Sequence, residues 1–206
     1  MLLSIFDLSS LLWLLPFLLM VGVIEIVDIS QTTGAGGCLK TGGLSHSYLV
    51  EARYVSAITV AADVITGFTM TDVGKWARYD PDKDNTANYT ETANRSGGKR
   101  TVQQSAFWKF GGVSSGNIIA INNAVKTCDV IAIHIYVNTR RMVQGLEIDP
   151  AETGGFALTK VQQTLLQANE QSATTDNEAR HEISLVGEST ELSWETTLTN
   201  SAIEAL

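Results

Sequence analysis

The chain has 206 residues, 44% of them hydrophobic and 17% charged, and its formal net charge is −8 at pH 7. That length and balance suit one good hydrophobic core or two small ones, and they exclude an extensively disordered chain. The acidic excess excludes a general nucleic-acid coat, because binding to phosphates needs a surplus of Lys and Arg.

The charges are unevenly distributed along the chain. From Gln144 to the last residue there are eleven acidic residues and only two basic ones, Lys160 and Arg180, so that part has a net charge of −9. The remainder carries +1. Such an asymmetry fits subunits that are oriented in a stack, and it fits equally a charged face that maintains solubility.

The first candidate element is an apolar segment near the start of the chain. Asp7 and Glu25 bracket 17 uncharged residues, 8–24, a run slightly short for a bilayer span of about 20 residues. No basic residue precedes Lys40 and no Ala-x-Ala pattern follows the run, so the features of a secretory signal are incomplete. Four interpretations stay open. The segment is a leader that is either removed or added by a start codon assigned too early, with Met20 as the true first residue. Alternatively, it is a membrane anchor, a signal peptide or a buried core helix.

The region after this segment has the composition of β-strands. Residues 48–62 are rich in Val, Ile, Tyr and Thr and predict one or two strands, which continue from residue 63 to a turn at Gly67. Residues 72–100 are mostly polar and predict a long loop, of a length that usually carries function or mobility. Residues 101–110 return to a strand pattern.

The strongest strand signal lies at residues 130–137. One face consists of β-branched residues and the other is smaller and partly polar: Ile131, Ile133, Ile135 and Val137 against Val130, Ala132, His134 and Tyr136. A strand that is apolar on both faces is typical of the centre of a sheet. Before it, Ser114 or Ser115 can cap a short helix at about 117–126, and after it residues 140–148 predict a hairpin partner.

The last third predicts further strands. Residues 156–168 fit either a helical or a strand period and are assigned to a strand because a Gly-Gly turn precedes them. Residues 182–186 and 191–198 also predict strands, and residues 201–206 a short helical tail. In the second of these strands alternate residues are predicted to face the core and solvent: Leu192, Trp194, Thr196 and Leu198 inward, Glu191, Ser193, Glu195 and Thr197 outward.

Many short strands joined by glycine turns predict a mainly β fold. We expect an antiparallel β-sandwich or open barrel with one short helix at about 117–126 and a long loop at about 72–100. The predicted organisation is an apolar leader, residues 1–19, followed by a single β-rich structural domain, residues 20–206.

Residues suited to catalysis are few. The histidines are His46, His134 and His181, and His134 is expected to be a neutral, hydrogen-bonded core residue because it lies in the central strand. There is no G-x-S-x-G elbow, H-E-x-x-H, phosphate loop or dinucleotide fingerprint, and Cys38 and Cys128 lack zinc-ligand spacing. We therefore expect no enzyme and no cofactor, with a hydrolase assembled from distant residues as a remote alternative.

One acidic segment has the spacing of a calcium-binding loop. Asp80, Asp82, Asp84 and Glu91 occupy positions 1, 3, 5 and 12 of the pattern, whose oxygen ligands can surround one Ca²⁺. Position 6, normally Gly, is Asn85, which tolerates the left-handed backbone less readily. The segment is thus a weak candidate metal site, and the alternative is an acidic, solvated loop tip.

Two sequence blocks carry a resemblance to a known family. They are AVKTCDVIAIHIYVNTRRMVQGLEID and the ending GESTELSWETTLTNSAIEAL, in the order short helix, central strand, hairpin and closing strands. Over about residues 103–206 the chain resembles virion structural proteins of tailed bacteriophages, of the tail-tube type. The resemblance implies a β-sandwich that forms rings, which stack into a conduit while a long loop reaches the next ring.

The resemblance gives the predicted loop at 72–100 a role in assembly. Lys99 and Arg100, with Arg95 nearby, form a basic patch at its end. The patch can contact the acidic face of a neighbouring subunit, and it fits equally an ordinary solvated hairpin. The expected function is a self-assembling virion subunit of the tail tube, with head decoration or connector proteins as sibling roles. An apolar leader has no use in such a subunit, so 1–19 departs from the family.

The partners follow from this function. They are other copies of the chain in a ring or stacked rings and other virion proteins, with no sequence-specific nucleic acid and with a membrane only if the leader is retained. The expected location is the virion, and the host cytoplasm during assembly. The alternative function is a membrane-anchored or secreted β-domain that binds a ligand or Ca²⁺ through residues 80–91.

Overall fold

The computed structural model describes residues 29–30, 43–71, 74–81, 87–111, 119, 123, 126–127, 129–159, 161–169 and 180–206. The predicted leader and both cysteines lie outside these residues. In the described part of the chain no helix is long and apolar enough to cross a membrane.

The described elements are strands, one 3₁₀ turn at Ala52–Tyr54 and one short α-helix. The strands are β1 (Ile29–Ser30), β2 (Leu44–Glu51), β3 (Val55–Ala61), β4 (Val64–Met70), β5 (Ala77–Asp80), β6 (Ala87–Ser96), β7 (Lys99–Gly111), β8 (Val130–Tyr136), β9 (Arg141–Gln144), β10 (Leu146–Ile148), β11 (Phe156–Leu158), β12 (Val161–Asn169), β13 (Arg180–Ser189) and β14 (Trp194–Glu195). The helix is α1, Asn200–Glu204, inside the predicted helical tail.

The strands form two larger sheets and two hairpins. The first sheet has the order β1-β5-β2-β8-β9-β14, and the second has the order β12-β13-β7-β6. The strands β3 and β4 pair with each other, as do β10 and β11. All neighbours are antiparallel except β1 and β5, and none of the described sheets closes into a barrel. The prediction of a mainly β, antiparallel fold compatible with a sandwich is therefore confirmed.

The six-stranded sheet is covered on both faces. The four-stranded sheet packs on one face through a core that includes Trp108, Phe110 and Ile183. The β3–β4 hairpin, the β10–β11 pair and α1 pack on the other through a second core. Strand β8 contributes to both, with Val130 and Ala132 in the first core and with Ile131, Ile133 and Ile135 in the second. The predicted central strand and its two faces are confirmed, except that Val137 lies beyond the strand and is 41% exposed.

The prediction of a long loop at 72–100 is wrong. This region contains β5, all of β6 and the start of β7, and β6 and β7 form one hairpin in continuous register from Ala87↔Trp108 to Ser96↔Lys99. Its two-residue turn is Gly97–Gly98, with φ angles of 58° and 81°, which glycine adopts without steric cost. The missed signals were the Gly-Gly turn and the alternation of buried Ala87 and Tyr89 with exposed residues.

Two smaller predictions also need correction. The turn expected at Gly67 lies instead at Ala62–Asp63, where both residues have positive φ, and β4 continues through Gly67. In the segment 191–198 only Trp194–Glu195 is a strand, and its alternation is broken, since Leu192 is 49% exposed and Ser193 is buried. Ser193 is buried because hydrogen bonds from other strands satisfy it, as described below.

The helix predicted at about 117–126 lies mostly outside the described residues. Within it, the backbone is helical at Ile119 and Asn123, and the amide of Lys126 donates to the carbonyl of Asn123. The helix α1 begins after Thr199, whose hydroxyl accepts a hydrogen bond from the amide of Ala202 at 3.2 Å. That N-cap is the reason the final segment is helical rather than extended.

Replacing Gly145 with Ala is expected to lower the free energy of unfolding by about 3 kcal/mol. Gly145 joins β9 to β10 with a φ of 101°, and a Cβ there would lie 2.2 Å from the carbonyl oxygen of Val130. Gly98→Ala is the matched control, because its φ is 81° but an added Cβ meets nothing within 4 Å. The control should cost about 1 kcal/mol. Urea unfolding monitored by circular dichroism measures both free energies. Equal losses for the two variants would show that the added Cβ at position 145 does not collide with the Val130 carbonyl.

Candidate functional site

A chain of buried polar side chains connects the two larger sheets. The indole Nε1 of Trp108 donates to Ser47 Oγ at 3.1 Å, and Ser47 Oγ lies 3.1 Å from Nδ1 of His134. On the other side of the ring, Nε2 of His134 lies 2.8 Å from Gln144 Oε1. All four side chains are buried, and His134 was predicted to be a core residue of this kind.

The direction of each hydrogen bond in this network follows from its last member. Gln144 Nε2 donates to the carbonyls of Gln104 and Leu185, so Gln144 Oε1 must accept, and His134 Nε2 carries the proton. Burial lowers the pKa of His134 to about 4, which leaves Nδ1 unprotonated to accept from the Ser47 hydroxyl. Every donor in the chain is therefore matched with an acceptor.

The Ser47–His134 pair has the bonding of a hydrolase nucleophile and base, but it is inaccessible. Ser47, His134 and Gln144 each have 0% exposure, so a substrate has no path to the Ser47 hydroxyl in this arrangement. His46 is engaged elsewhere, with Nδ1 at 3.0 Å from Ser45 Oγ and Nε2 at 3.1 Å from Asn200 Nδ2. The network holds the two sheets together and offers no reactive group to solvent.

A second polar group surrounds Glu91 of β6. Its Oε1 accepts from Tyr89 OH at 3.0 Å, from the Ser193 amide at 2.7 Å and from Gln104 Nε2 at 3.4 Å. The Ser193 hydroxyl bonds Tyr89 OH and also accepts from Gln104 Nε2. The Tyr89 ring stacks on His134 at 4.3 Å, so this group adjoins the His134 network. Its role is to attach the segment before β14 to the four-stranded sheet.

The proposed calcium ligands are only partly described. Glu91 is committed to the hydrogen bonds above, and Asp80 forms an ion pair with Arg78 at 2.9 Å. Asp82 and Asp84 lie outside the described residues. Among the residues that the structure does describe, no group of three or more His, Cys, Asp or Glu could hold a metal ion.

A second surface feature is the end of the β6–β7 hairpin, residues 95–100, which we call the arm. The last β7 residue paired with β13 is Val102, opposite Ser189, so the arm continues beyond the four-stranded sheet as two strands alone. The three residue steps from Val102 to Lys99 carry the hairpin about 10 Å past the last residue of β7 that pairs with β13. The assembly candidates Lys99 and Arg100 lie on it, and both are exposed.

The arm concentrates positive charge. Arg95 and Arg100 are directly opposite each other across the hairpin, and together with Ala93, Asn94 and Gly98 they line a shallow cavity of about 410 Å³. Like charges in such a pair repel by roughly 0.2–1 kcal/mol. No ion pair within the described residues involves either arginine or Lys99. Within the part of the chain that the structure describes, no ion pair therefore compensates the charge of the arm.

An acidic groove of about 610 Å³ lies at the same end of the four-stranded sheet, where β13 ends beside the β10–β11 pair. Its charged residues among those described are Glu147 and Glu188, and it also contains the exposed side chains of Leu158 and Val186. We call this surface the groove. It was not predicted, because its residues come from strands that are far apart in the sequence.

Glu147 in the groove is held in its ionised form. Partial burial raises the pKa of its carboxyl, but hydrogen bonds from Ser189 and Thr190 outweigh this effect, and the pKa lies below its usual value. The Ser189 hydroxyl donates to Glu147 Oε1 at 2.6 Å, and the Thr190 amide donates to the same oxygen at 2.5 Å. The groove therefore presents negative charge at neutral pH.

Comparison with protein-family models, curated proteins and solved structures gave no match to this chain. A functional assignment consequently depends on the geometry of the arm and the groove. The sequence had indicated the cations of the arm, with a solvated hairpin as one alternative, but not the pairing of Arg95 with Arg100. A two-residue Gly-Gly turn would have been sufficient to place the two arginines opposite each other.

Proposed function

We propose that this chain is a self-assembling structural subunit without catalytic activity, of the kind that forms the tail tube of a bacteriophage virion. The observation that carries the proposal is the arm, a basic hairpin that extends beyond its own sheet. The mainly β fold agrees with the architecture that the resemblance to tail-tube proteins implies.

Among the described strands, none pairs with the arm beyond its own two strands. A two-stranded ribbon without further packing is marginally stable in water, and the Arg95–Arg100 pair adds repulsion. A contact with carboxylates of another molecule would pack against the ribbon and would also neutralise the repulsion between the two arginines. An arm of this kind is therefore better explained by binding outside its own copy than by the stability of the monomer.

Two further features of the surface suit the assembly of a ring, namely an acidic patch and an edge strand. Head-to-tail assembly requires two different complementary patches on each subunit, and here one is basic and the other is the acidic C-terminal part. Among the described strands, β6 forms an edge of the four-stranded sheet over ten residues, and an edge strand can pair with a strand of another copy. These features support a ring or stacked rings of identical copies.

The full chain is expected to form rings or tubes as its concentration rises. Light scattering after size-exclusion chromatography gives the mass, and negative-stain electron microscopy shows the form. The assemblies should weaken as salt is raised, because screening reduces the attraction between the basic and acidic patches. A protein that stays monomeric at every concentration and ionic strength would contradict the proposal.

The double variant Arg95→Thr/Arg100→Thr tests the arm directly within that experiment. Threonine keeps the strand propensity and removes only the charges. The matched control is Lys75→Thr/Lys126→Thr, which removes two exposed cations elsewhere. The arm variant should remain folded and lose assembly, whereas the control should assemble like the unmodified chain.

A further inference from the structure

We infer that the groove is the acceptor for the arm of a second copy. This inference depends on the proposed function, since it names the surface through which the subunits would associate. It is drawn from the charges and the exposed apolar side chains of the two surfaces.

The arm cannot reach the groove of its own copy. Thr101 and Gln103 of β7 line the groove, and the same strand continues without interruption into the arm. The arm is paired as a regular antiparallel ladder up to its turn. Folding back would break that ladder, so the only arm that can enter the groove comes from another copy.

The charges of the two surfaces are opposite in sign. The arm has two paired guanidinium groups, Arg95 and Arg100, and the groove has two carboxylates, Glu147 and Glu188. Hydrogen bonds from Ser189 and Thr190 hold the Glu147 carboxylate in the groove in its ionised form. Glu188 is exposed. Guanidinium groups bind carboxylates with two parallel hydrogen bonds, which favours this pairing over an isolated point contact.

The remaining side chains of the groove also suit an arginine-bearing hairpin. Leu158 and Val186 are 48% and 39% exposed, and they can cover the aliphatic stems of the arginines.

A charge exchange between the two surfaces tests the inference. In the full chain, Arg100→Glu and Glu188→Arg should each raise the apparent dissociation constant of the assembly at least tenfold. The chain carrying both substitutions should recover to within about threefold, because each mutated arm then meets a mutated groove. Glu152→Arg, at an exposed acid outside the groove, changes the net charge by the same amount as Glu188→Arg and should have little effect.

The outcomes separate this inference from the proposed function. If the unmodified chain never assembles, both are overturned. If Arg100→Glu weakens assembly but Glu188→Arg does not, or the exchange fails to restore it, the arm binds elsewhere and only the inference is overturned.

A DNA-binding test gives another outcome. If the unmodified chain retards duplex DNA and Arg100→Glu abolishes the retardation, the arm binds phosphates and the inference is likewise overturned. A closed dimer whose exchange variant is restored would support the groove and contradict the ring. Thermal melting of each variant confirms folding.

Discussion

Ile133→Asp is expected to leave the chain largely unfolded at neutral pH. Ile133 has 0% exposure in β8 and lies between Tyr48 of β2 and Val143 of β9, which are also buried. The substitution would place a carboxylate without a partner in the core, and it would also remove a well-packed apolar side chain. The combined loss exceeds about 4 kcal/mol, a large part of the total stability of an ordinary domain.

Val137→Asp is the matched control for this substitution. Val137 follows the same strand by one residue but is 41% exposed, so the same carboxylate stays hydrated. The control should change the free energy of unfolding by less than about 0.5 kcal/mol. Circular dichroism and urea titration decide the result, and a cooperative, unchanged transition for Ile133→Asp would show that β8 is not the centre of the core.

The stability of the chain is expected to fall in mild acid because of His134. Its pKa is lowered from the ordinary 6.5 to about 4, chiefly by burial, so between these values the unfolded chain binds one more proton than the folded chain. Stability therefore rises with pH across this window, and it is lost as pH falls from 6.5 towards 4. The expected loss from this one site is about 3 kcal/mol.

His134→Leu isolates this contribution from that of the other titrating groups. The variant should be less stable at pH 7, because Ser47 and Gln144 lose their hydrogen-bond partner. Its free energy of unfolding should nevertheless change by about 3 kcal/mol less than that of the unmodified chain between pH 6.5 and 4. Urea titrations at several pH values give both curves, and parallel curves would show that His134 does not titrate on unfolding.

Strands with apolar residues on both faces give a strong sequence signal, whereas the signal of β6 is weaker. β8 alternates between two cores, and its β-branched residues make that signal strong. β6 faces solvent on one side, and on the other side the core residues Ala87 and Tyr89 are followed by Glu91, which is held by hydrogen bonds. A strand stabilised in this way resembles a loop in composition.

The site was partly predictable for a related reason. Basic residues near the arm are close together in the sequence and could be recognised, but the groove combines residues from β7, β10, β11 and β13. The burial of Ser193 also depends on distant residues, because Tyr89 lies 104 residues before it and Gln104 lies 89 before it. No local pattern contains such information, since only the folded chain brings these residues together.

The strand order of the six-stranded sheet also affects how the chain is made. β2 pairs with β8, and Ser47 and His134, which are bonded across this pair, are 87 residues apart in the sequence. At about 5–20 residues per second, a ribosome needs roughly 4 to 17 s to synthesise that interval. During this time β2 lacks its main neighbour and its apolar faces are uncovered. Nascent chains therefore face their greatest risk of wrong pairing with one another before synthesis is complete, and slower initiation of translation should raise the yield of folded protein.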